Sequence, residues 1–309
     1  MKSIDIADLD CVFLTYDEPN AEENWVKIKN MVPWACRVDG VKGSDAAHKA
    51  AGQASNTDRF ILIDGDNIPD PAFFNLTLEF PTAEYEQAVF RWRAKNHING
   101  LMYGNGGLSS WTKQFVENMQ THEASNGAVE NDVEFCFYPN YWAMHDCYST
   151  TYPNATAFQA WRAGFREGVK MCLNKGARPT LSEFKQRVHH RNLDHLTIWH
   201  NVGRDVDNGI WAIAGSRMGT YMTMITSQWD YRTVQDFAEL ETLWNTVKDT
   251  NPDVLAGRVA EDLVTQLDLP MTTILGPESA FFKHHYRSNW HNQGVMIKEI
   301  DIIRSQEGW

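Results

Sequence analysis

The sequence predicts an α/β protein with a mostly parallel sheet flanked by helices and a helical C-terminal extension. Three observations point there. Short apolar runs, DCVFLT (10–15), ACRVDGVKG (35–43) and RFILIDGDN (59–67), alternate with helix-patterned stretches, the order that builds parallel βαβ units. Amphipathic helical patterns then crowd the second half of the chain. No internal repeat or low-complexity linker interrupts the 309 residues, so one catalytic domain over 1–215 with a helical extension over 216–309 packed on it is the economical division.

The elements follow in order. DCVFLT ends in the polar cluster YDEPN, which reads as a buried strand running into a loop. AEENWVKIKNMV (21–32) places Trp25, Ile28 and Val32 on one side of a helix. ACRVDGVKG is a second short strand, and SDAAHKAAGQAS (44–55) is an Ala-rich helix capped by Ser44. RFILIDGDN is the third strand. EQAVFRWRAKN (86–96) is another, with Arg91, Arg93 and Lys95 on one face and Phe90, Trp92 and Ala94 on the other. LMYGNGGLSSW (101–111) is a glycine-rich loop or bent strand. TAFQAWRAGFREGVKMCL (156–173) is a strong helix with Phe158, Trp161, Phe165 and Val169 as its buried stripe. RTVQDFAELETLWNTVKD and DVLAGRVAEDLVTQLDL are two further helices, and GVMIKEIDIIRS (294–305) is a closing strand.

Charged residues make up 22% of the chain and apolar ones 43%, the balance of a soluble globular protein. The formal net charge of −12 argues against a protein that merely coats nucleic acid. No apolar run is long enough to span a bilayer, and the start, MKSIDIADLD, lacks the apolar segment of a signal peptide. Cys11, Cys36, Cys136, Cys147 and Cys172 form an odd set without a CxxC pair; reduced thiols in a cytoplasm are expected, with no zinc site.

In a parallel sheet, ligands gather at the carboxyl ends of the strands. Tyr16, Asp17 and Glu18 fall at one such end and Asp64 and Asp66 at another. Paired carboxylates favour hard divalent cations, Mg²⁺ or Mn²⁺, and Mg²⁺ takes one or two of them while substrate phosphates complete its shell. A surface turn rich in turn formers is the competing explanation for DGDN. The apolar run FILI before it and the alternation upstream favour a metal–diphosphate site.

FLTYDEPNAEENW, VDGVKGSDAAHKAA, ILIDGDN, YGNGGLSSW and FQAWRAGFRE, in this order, are together similar to a group of glycosyltransferase-like proteins encoded by tailed phages. Strand–DxD–loop after two βα units resembles the GT-A fold, a Rossmann-like architecture, of nucleotide-sugar-dependent glycosyltransferases. The resemblance covers roughly the first 215 residues and implies a UDP-sugar or related donor with Mn²⁺ or Mg²⁺.

It also implies roles. Thr15, Tyr16 and Glu18 would meet the nucleobase and ribose. Lys42 and His48 would reach ribose or phosphate, beside a helix N-terminus. Asp64 and Asp66 would hold the metal. WHNVGRDVDNGIW (199–211) resembles the HxxG segment of retaining enzymes of the glycogenin type and implies His200 as a third ligand, although Arg204 replaces the family's lysine. Asn105, Gly106 and Gly107 would line the sugar and acceptor. Arg162 and Arg166, four apart on one helical face, would hold a phosphate or carboxylate, or instead form ion pairs. An inverting enzyme needs a carboxylate base; Asp132 is the first candidate and Asp146 the second.

The phage resemblance makes a 5-hydroxymethylpyrimidine in DNA the first acceptor, with RWRAK (91–95), KQRVHHR (185–191) and KHHYR (283–287) as a phosphate path. A saccharide, lipid-linked or protein hydroxyl is the alternative. A sugar nucleotidyltransferase ranks below both, because acidic YDEPN stands where those enzymes carry a basic, glycine-rich loop.

Overall fold

In the computed structural model, residues 2–121, 140–226, 228–285, 297 and 300–307 are described. The chain divides into two compact units: a sheet unit of residues 1–96 and 102–152, and a helical unit of residues 97–101 and 153–309. The change falls after Tyr152. The boundary expected at 215 lies instead inside a helix of the second unit, Gly209–Tyr221.

The sheet unit contains β1 (Lys2–Asp5), β2 (Asp10–Thr15), α1 (Ala21–Met31), β3 (Cys36–Asp39), α2 (Ser44–Ala54), β4 (Arg59–Asp64), β5 (Asn67–Pro69), β6 (Thr77–Phe80), β7 (Val89–Asn96), β8 (Met102–Thr112), α3 (Lys113–Asn118) and β9 (Tyr141–Thr151). Seven strands form one sheet in the order β3-β2-β4-β8-β7-β9-β5, and β1 pairs with β6 in a separate two-stranded ribbon.

The sheet is mixed, which corrects the expectation of a mostly parallel one. β3–β2, β2–β4 and β7–β9 are parallel. β4–β8, β8–β7 and β9–β5 are antiparallel. The five residues between β7 and β8 are too few for a parallel crossover, which needs about a dozen, so β8 must return antiparallel. The glycine-rich run, expected as a loop or bent strand, is this strand.

β2 and β4 read as unbroken apolar runs because both of their faces are covered. Cys11, Phe13, Ile61 and Ile63 pack with Ile28 of α1 and Val32 just past its end, together with Phe73, Phe90 and Trp92. Val12, Phe60 and Leu62 point the other way, onto Ala51 of α2, Val116 of α3 and Trp111 of β8. Each fully buried side chain of this size is worth about 1.5–3 kcal/mol of apolar transfer, and the two-sided packing pins the register of the central strands. α2 begins at Ser44 itself. Gly43, at φ +95°, occupies the cap position, so Ser44 is not the cap.

The helical unit comprises α4 (Ala157–Lys170), α5 (Phe184–Arg187), α6 (His190–Trp199), α7 (Gly209–Tyr221), α8 (Phe237–Val247), α9 (Pro252–Arg258), α10 (Ala260–Leu267), α11 (Gly276–His285) and α12 (Ile300–Glu307). α12 stands where a closing strand was expected. Thr156 caps α4 through its side chain. α4 and α7 cross at backbone contact: a Cβ on Gly164 would lie 2.0 Å from the Ala212 carbonyl oxygen, and one on Gly215 2.2 Å from that of Trp161. Gly168 and Gly219 repeat the arrangement one turn on. No helix among the described residues is long and apolar enough to cross a membrane.

Candidate active site

Three strands of the sheet unit end side by side. β2 pairs in parallel with β3 and β4, and the register sets Thr15 opposite Asp39 and Leu14 opposite Asp64. The chain's acidic punctuation therefore falls at one edge of the sheet, where the backbone leaves its ladder and side chains are free to converge.

Asp64 is the last residue of β4 and Asp66 follows one glycine later. That glycine leaves room for a neighbour. A Cβ at Gly65 would meet Glu18 Oε2 at 2.7 Å and Thr15 Cγ2 at 3.0 Å. Glu18 thus lies folded over the DGD turn, and its Oε2 also accepts a hydrogen bond from the Tyr16 N–H at 2.8 Å. Burial, then Asp66 and Glu18, push the Asp64 carboxyl up from 3.8 to about 8. Burial also pushes Glu18 up, with Asp66 and Asp17 adding to it against the Tyr16 N–H. Asp64 and Glu18 thus share a space that disfavours their ionisation unless positive charge enters it.

A second cluster lies at the ends of β2 and β3. Thr15 Oγ1 donates to Asp39 Oδ1, and Arg37 Nε donates to Thr15 Oγ1 at 2.9 Å. Arg37 also bonds Asp39 Oδ1 at 3.1 Å and Glu22 Oε1 at 2.6 Å. The Thr15 hydroxyl and Arg37 hold the Asp39 carboxyl below its usual range. Sequence reasoning missed Arg37 and Asp39. Their alternation on β3 placed both on one face at a strand end, which was the available signal.

The oxygen-donor set suits a hard cation. Among the described residues no three or more His, Cys, Asp or Glu side chains form a ready-made metal cage. Mg²⁺ binds through one or two carboxylates and leaves its remaining positions to phosphate oxygens and water, so two aspartates with Glu18 alongside fit that habit.

The other expected residues separate into groups. Tyr16 is 46% exposed beside the carboxylates, open to stack on a planar ligand. Lys42 is exposed in the turn before α2. His48 is a correction: it is buried, its Nδ1 lies 2.8 Å from the Ser44 carbonyl oxygen, and its ring packs edge-on to Trp111 at 4.9 Å. It fills the space between α2 and β8 and offers no face to a donor.

Gly107 is also a correction. It is buried, and a Cβ there would lie 2.4 Å from Asn67 Nδ2, so that amide covers it rather than a sugar. Asn105 and Gly106 lie within β8, with their surroundings outside the described residues. Asp132 lies outside the described residues altogether, and Asp146 is exposed on β9.

His200 lies in the helical unit. It is 0% exposed within the helical unit, its Nε2 sits 3.0 Å from Thr220 Oγ1, and Thr220 in turn donates to the Gly168 carbonyl oxygen at 3.1 Å. Burial, then Arg217, lowers its pKa to about 3, so the ring is neutral. It joins α6 to the glycine crossing of α4 and α7. Arg162 and Arg166 belong to the same unit. Both stack on Phe237, at 4.3 and 5.3 Å, and Arg166 Nη2 donates to Gln235 Oε1 at 2.6 Å.

Some of the basic residues have partners; Tyr286 and Arg287 lie outside the described residues. Lys185 pairs with Asp268 and Arg187 with Glu183. Lys283 pairs with Asp205 and donates to the His97 and Ile98 carbonyls. Arg91 lies over the Tyr141 ring at 5.0 Å.

No family model and no curated protein matches the chain. Among solved structures, a glycosyltransferase involved in the glycosylation of the major capsid of PBCV-1 is similar over 48% of this chain and 94% of that one, with 11% identity and a TM-score of 0.31. A likeness of that degree carries no argument about fold or activity.

Proposed function

We propose that the sheet unit is a metal-dependent glycosyltransferase that moves a sugar from a nucleotide-sugar donor, a UDP-sugar first, to a hydroxyl acceptor. The observation that carries the reading is the seating of Glu18 over Gly65, which gathers Asp64, Asp66 and Glu18 at the adjoining ends of parallel strands β2 and β4. A carboxylate cluster at that position suits a diphosphate bridged by a divalent cation.

Asp66 and Asp64 would hold Mg²⁺ or Mn²⁺, which when bound neutralises the diphosphate and makes it a competent leaving group. Tyr16 stacks on the base, and the Thr15–Asp39–Arg37 cluster offers donors and acceptors to the nucleoside. In the transfer, the bond from the anomeric carbon to the diphosphate oxygen breaks and a bond from the acceptor oxygen to that carbon forms. The acceptor's proton passes to a carboxylate or to the departing phosphate.

A 5-hydroxymethylpyrimidine in DNA is the first acceptor, and a saccharide, lipid-linked or protein hydroxyl is the alternative. Mass spectrometry of nucleosides from hydroxymethylated DNA treated with enzyme and donor separates the two. The donor test is release of nucleoside diphosphate from a panel of nucleotide sugars with Mn²⁺ or Mg²⁺. Slow release from one sugar, abolished by EDTA and reduced by orders of magnitude in Asp66→Ala, is expected. A folded protein that neither binds nor hydrolyses any nucleotide sugar would overturn the reading.

A further inference from the structure

The start of α1 carries two asparagines one turn apart, Asn20 at the cap position and Asn24 inside the helix. One amide bonds the DGD turn directly, and the other bonds Tyr152, which follows β9. Asn24 is 2% exposed, and its Nδ2 donates to the Gly65 carbonyl oxygen at 2.9 Å, across 41 residues of sequence. Asn20 Nδ2 donates to the Tyr152 carbonyl oxygen at 3.2 Å, and the Tyr152 N–H donates to the Asp66 carbonyl oxygen at 2.7 Å.

These bonds fall on two particular peptide groups. The Gly65 carbonyl belongs to the peptide preceding the Asp66 Cα, and the Asp66 carbonyl to the one following it. A residue's only soft backbone torsions join those two planes. With one plane tied to Asn24 and the other to Tyr152, the Asp66 Cα–Cβ direction is fixed, and the carboxylate leaves the backbone on a set bearing. The preceding residue is glycine, which by itself would leave the turn free to rotate. Helix α1, anchored by Ile28 and Val32 in the core, is the rigid body to which both ties run.

We infer that Asn24, with Asn20 acting through Tyr152, is a positioning residue that aims the Asp66 carboxylate at the cation of the proposed site. The inference rests on the proposed metal-dependent reading and adds to it a device outside the ligand set. A plain packing role for Asn24 is the competing account, and the two differ in what they do to cation affinity.

The experiment titrates the full chain with Mn²⁺ alone, following free Mn²⁺ by electron paramagnetic resonance, alongside thermal melts. Asn24→Ala leaves the Gly65 carbonyl without its donor and is expected to raise the Mn²⁺ Kd about tenfold, the size of one hydrogen bond. Asn20→Ala, at a half-buried position and one bond further from Asp66, is expected to raise it about threefold and remains informative where Asn24→Ala fails to fold. Ile28→Val, on the same helix but in the core, should lower the melting temperature with the Mn²⁺ Kd unchanged. If wild type binds Mn²⁺, Asp66→Asn abolishes binding, and the asparagine variants bind like wild type, the positioning role is overturned while the metal site stands. The same holds if Ile28→Val weakens Mn²⁺ as much as they do. If wild type binds no Mn²⁺, or Asp66→Asn binds it equally well, the metal site fails and the inference with it.

Discussion

Replacing Asp64 with asparagine keeps the side chain's shape and removes a charge that the fold holds at a cost. Burial, followed by Asp66 and Glu18, carries this carboxyl from 3.8 to about 8. A carboxyl whose folded pKa lies above its unfolded value stabilises the fold only while protonated, so stability falls as pH rises through the window from about 4 to about 8. At about 1.4 kcal/mol per tenfold the full displacement is on the order of 5 kcal/mol. Asp64 keeps partial solvent access, which screens its charge, so about 1–3 kcal/mol is expected at pH 8. The assay is urea denaturation of wild type and Asp64→Asn in EDTA at pH 5 and pH 8. The variant should be the more stable protein at pH 8, with a much smaller advantage at pH 5. Saturating Mg²⁺ should reverse the order at pH 8, because only the wild type gains RT ln(1 + [L]/Kd) from the ion. A variant less stable than wild type at pH 8 in EDTA would refute the picture of crowded carboxylates.

Other perturbations separate the site from its scaffold. Gly65→Ala places a methyl group 2.7 Å from Glu18 Oε2, so it should displace that carboxylate and lower donor turnover at least tenfold, with a change of at most about 1 kcal/mol in urea stability; unchanged turnover would show that Glu18 has no part in the site. His200→Ala should cost about 2–4 kcal/mol by emptying a buried position and leaving Thr220 without its ring partner, yet the Mn²⁺ concentration for half-maximal turnover should not move; a tenfold rise would restore histidine as a ligand. Gly168→Val drives a side chain to within 2.2 Å of the Ser216 carbonyl oxygen and should destabilise the helical unit by about 3 kcal/mol in thermal melts, whereas a neutral result would deny the close helix crossing.

The parts of the molecule legible in the sequence are those whose side chains report their surroundings. DCVFLT and RFILID are apolar on both faces because both are covered, and that continuity, ending in acids, carried the expectation of a site there. β8 was harder to see. Its glycines contribute no apolar periodicity, since other strands supply the side chains that pack there: Asn67 of β5 at Gly107 and Arg91 of β7 at Gly104. β9 escaped because YWAMHDCYSTT mixes polar and apolar residues without a clean alternation, and its pairing with β7 slips between Arg91 and Ala94. Residue 215 falls inside α7, which is apolar nearly all round and glycine-rich, a helix buried by its partners.

At the site, the carboxylates were readable from their place after a strand. Their supports were not. Asn24 reaches Gly65 across 41 residues and Asn20 reaches Tyr152 across 132, and no local pattern encodes such pairings. His48 and His200 are read differently in one dimension and in three. A histidine beside a glycine turn or in an HxxG stretch resembles a ligand in one dimension, while burial against Trp111 or Thr220 decides its role in three.

The measurement that bears most directly on the central claim is a crystal of the protein soaked with Mn²⁺ and uridine diphosphate, with anomalous data collected for manganese. The account predicts a peak at the end of β4, about 2.0–2.2 Å from oxygens of Asp66 or Asp64 and from the diphosphate, with the base beside Tyr16. Well-ordered nucleotide elsewhere, or manganese bound away from those two carboxylates, would contradict it.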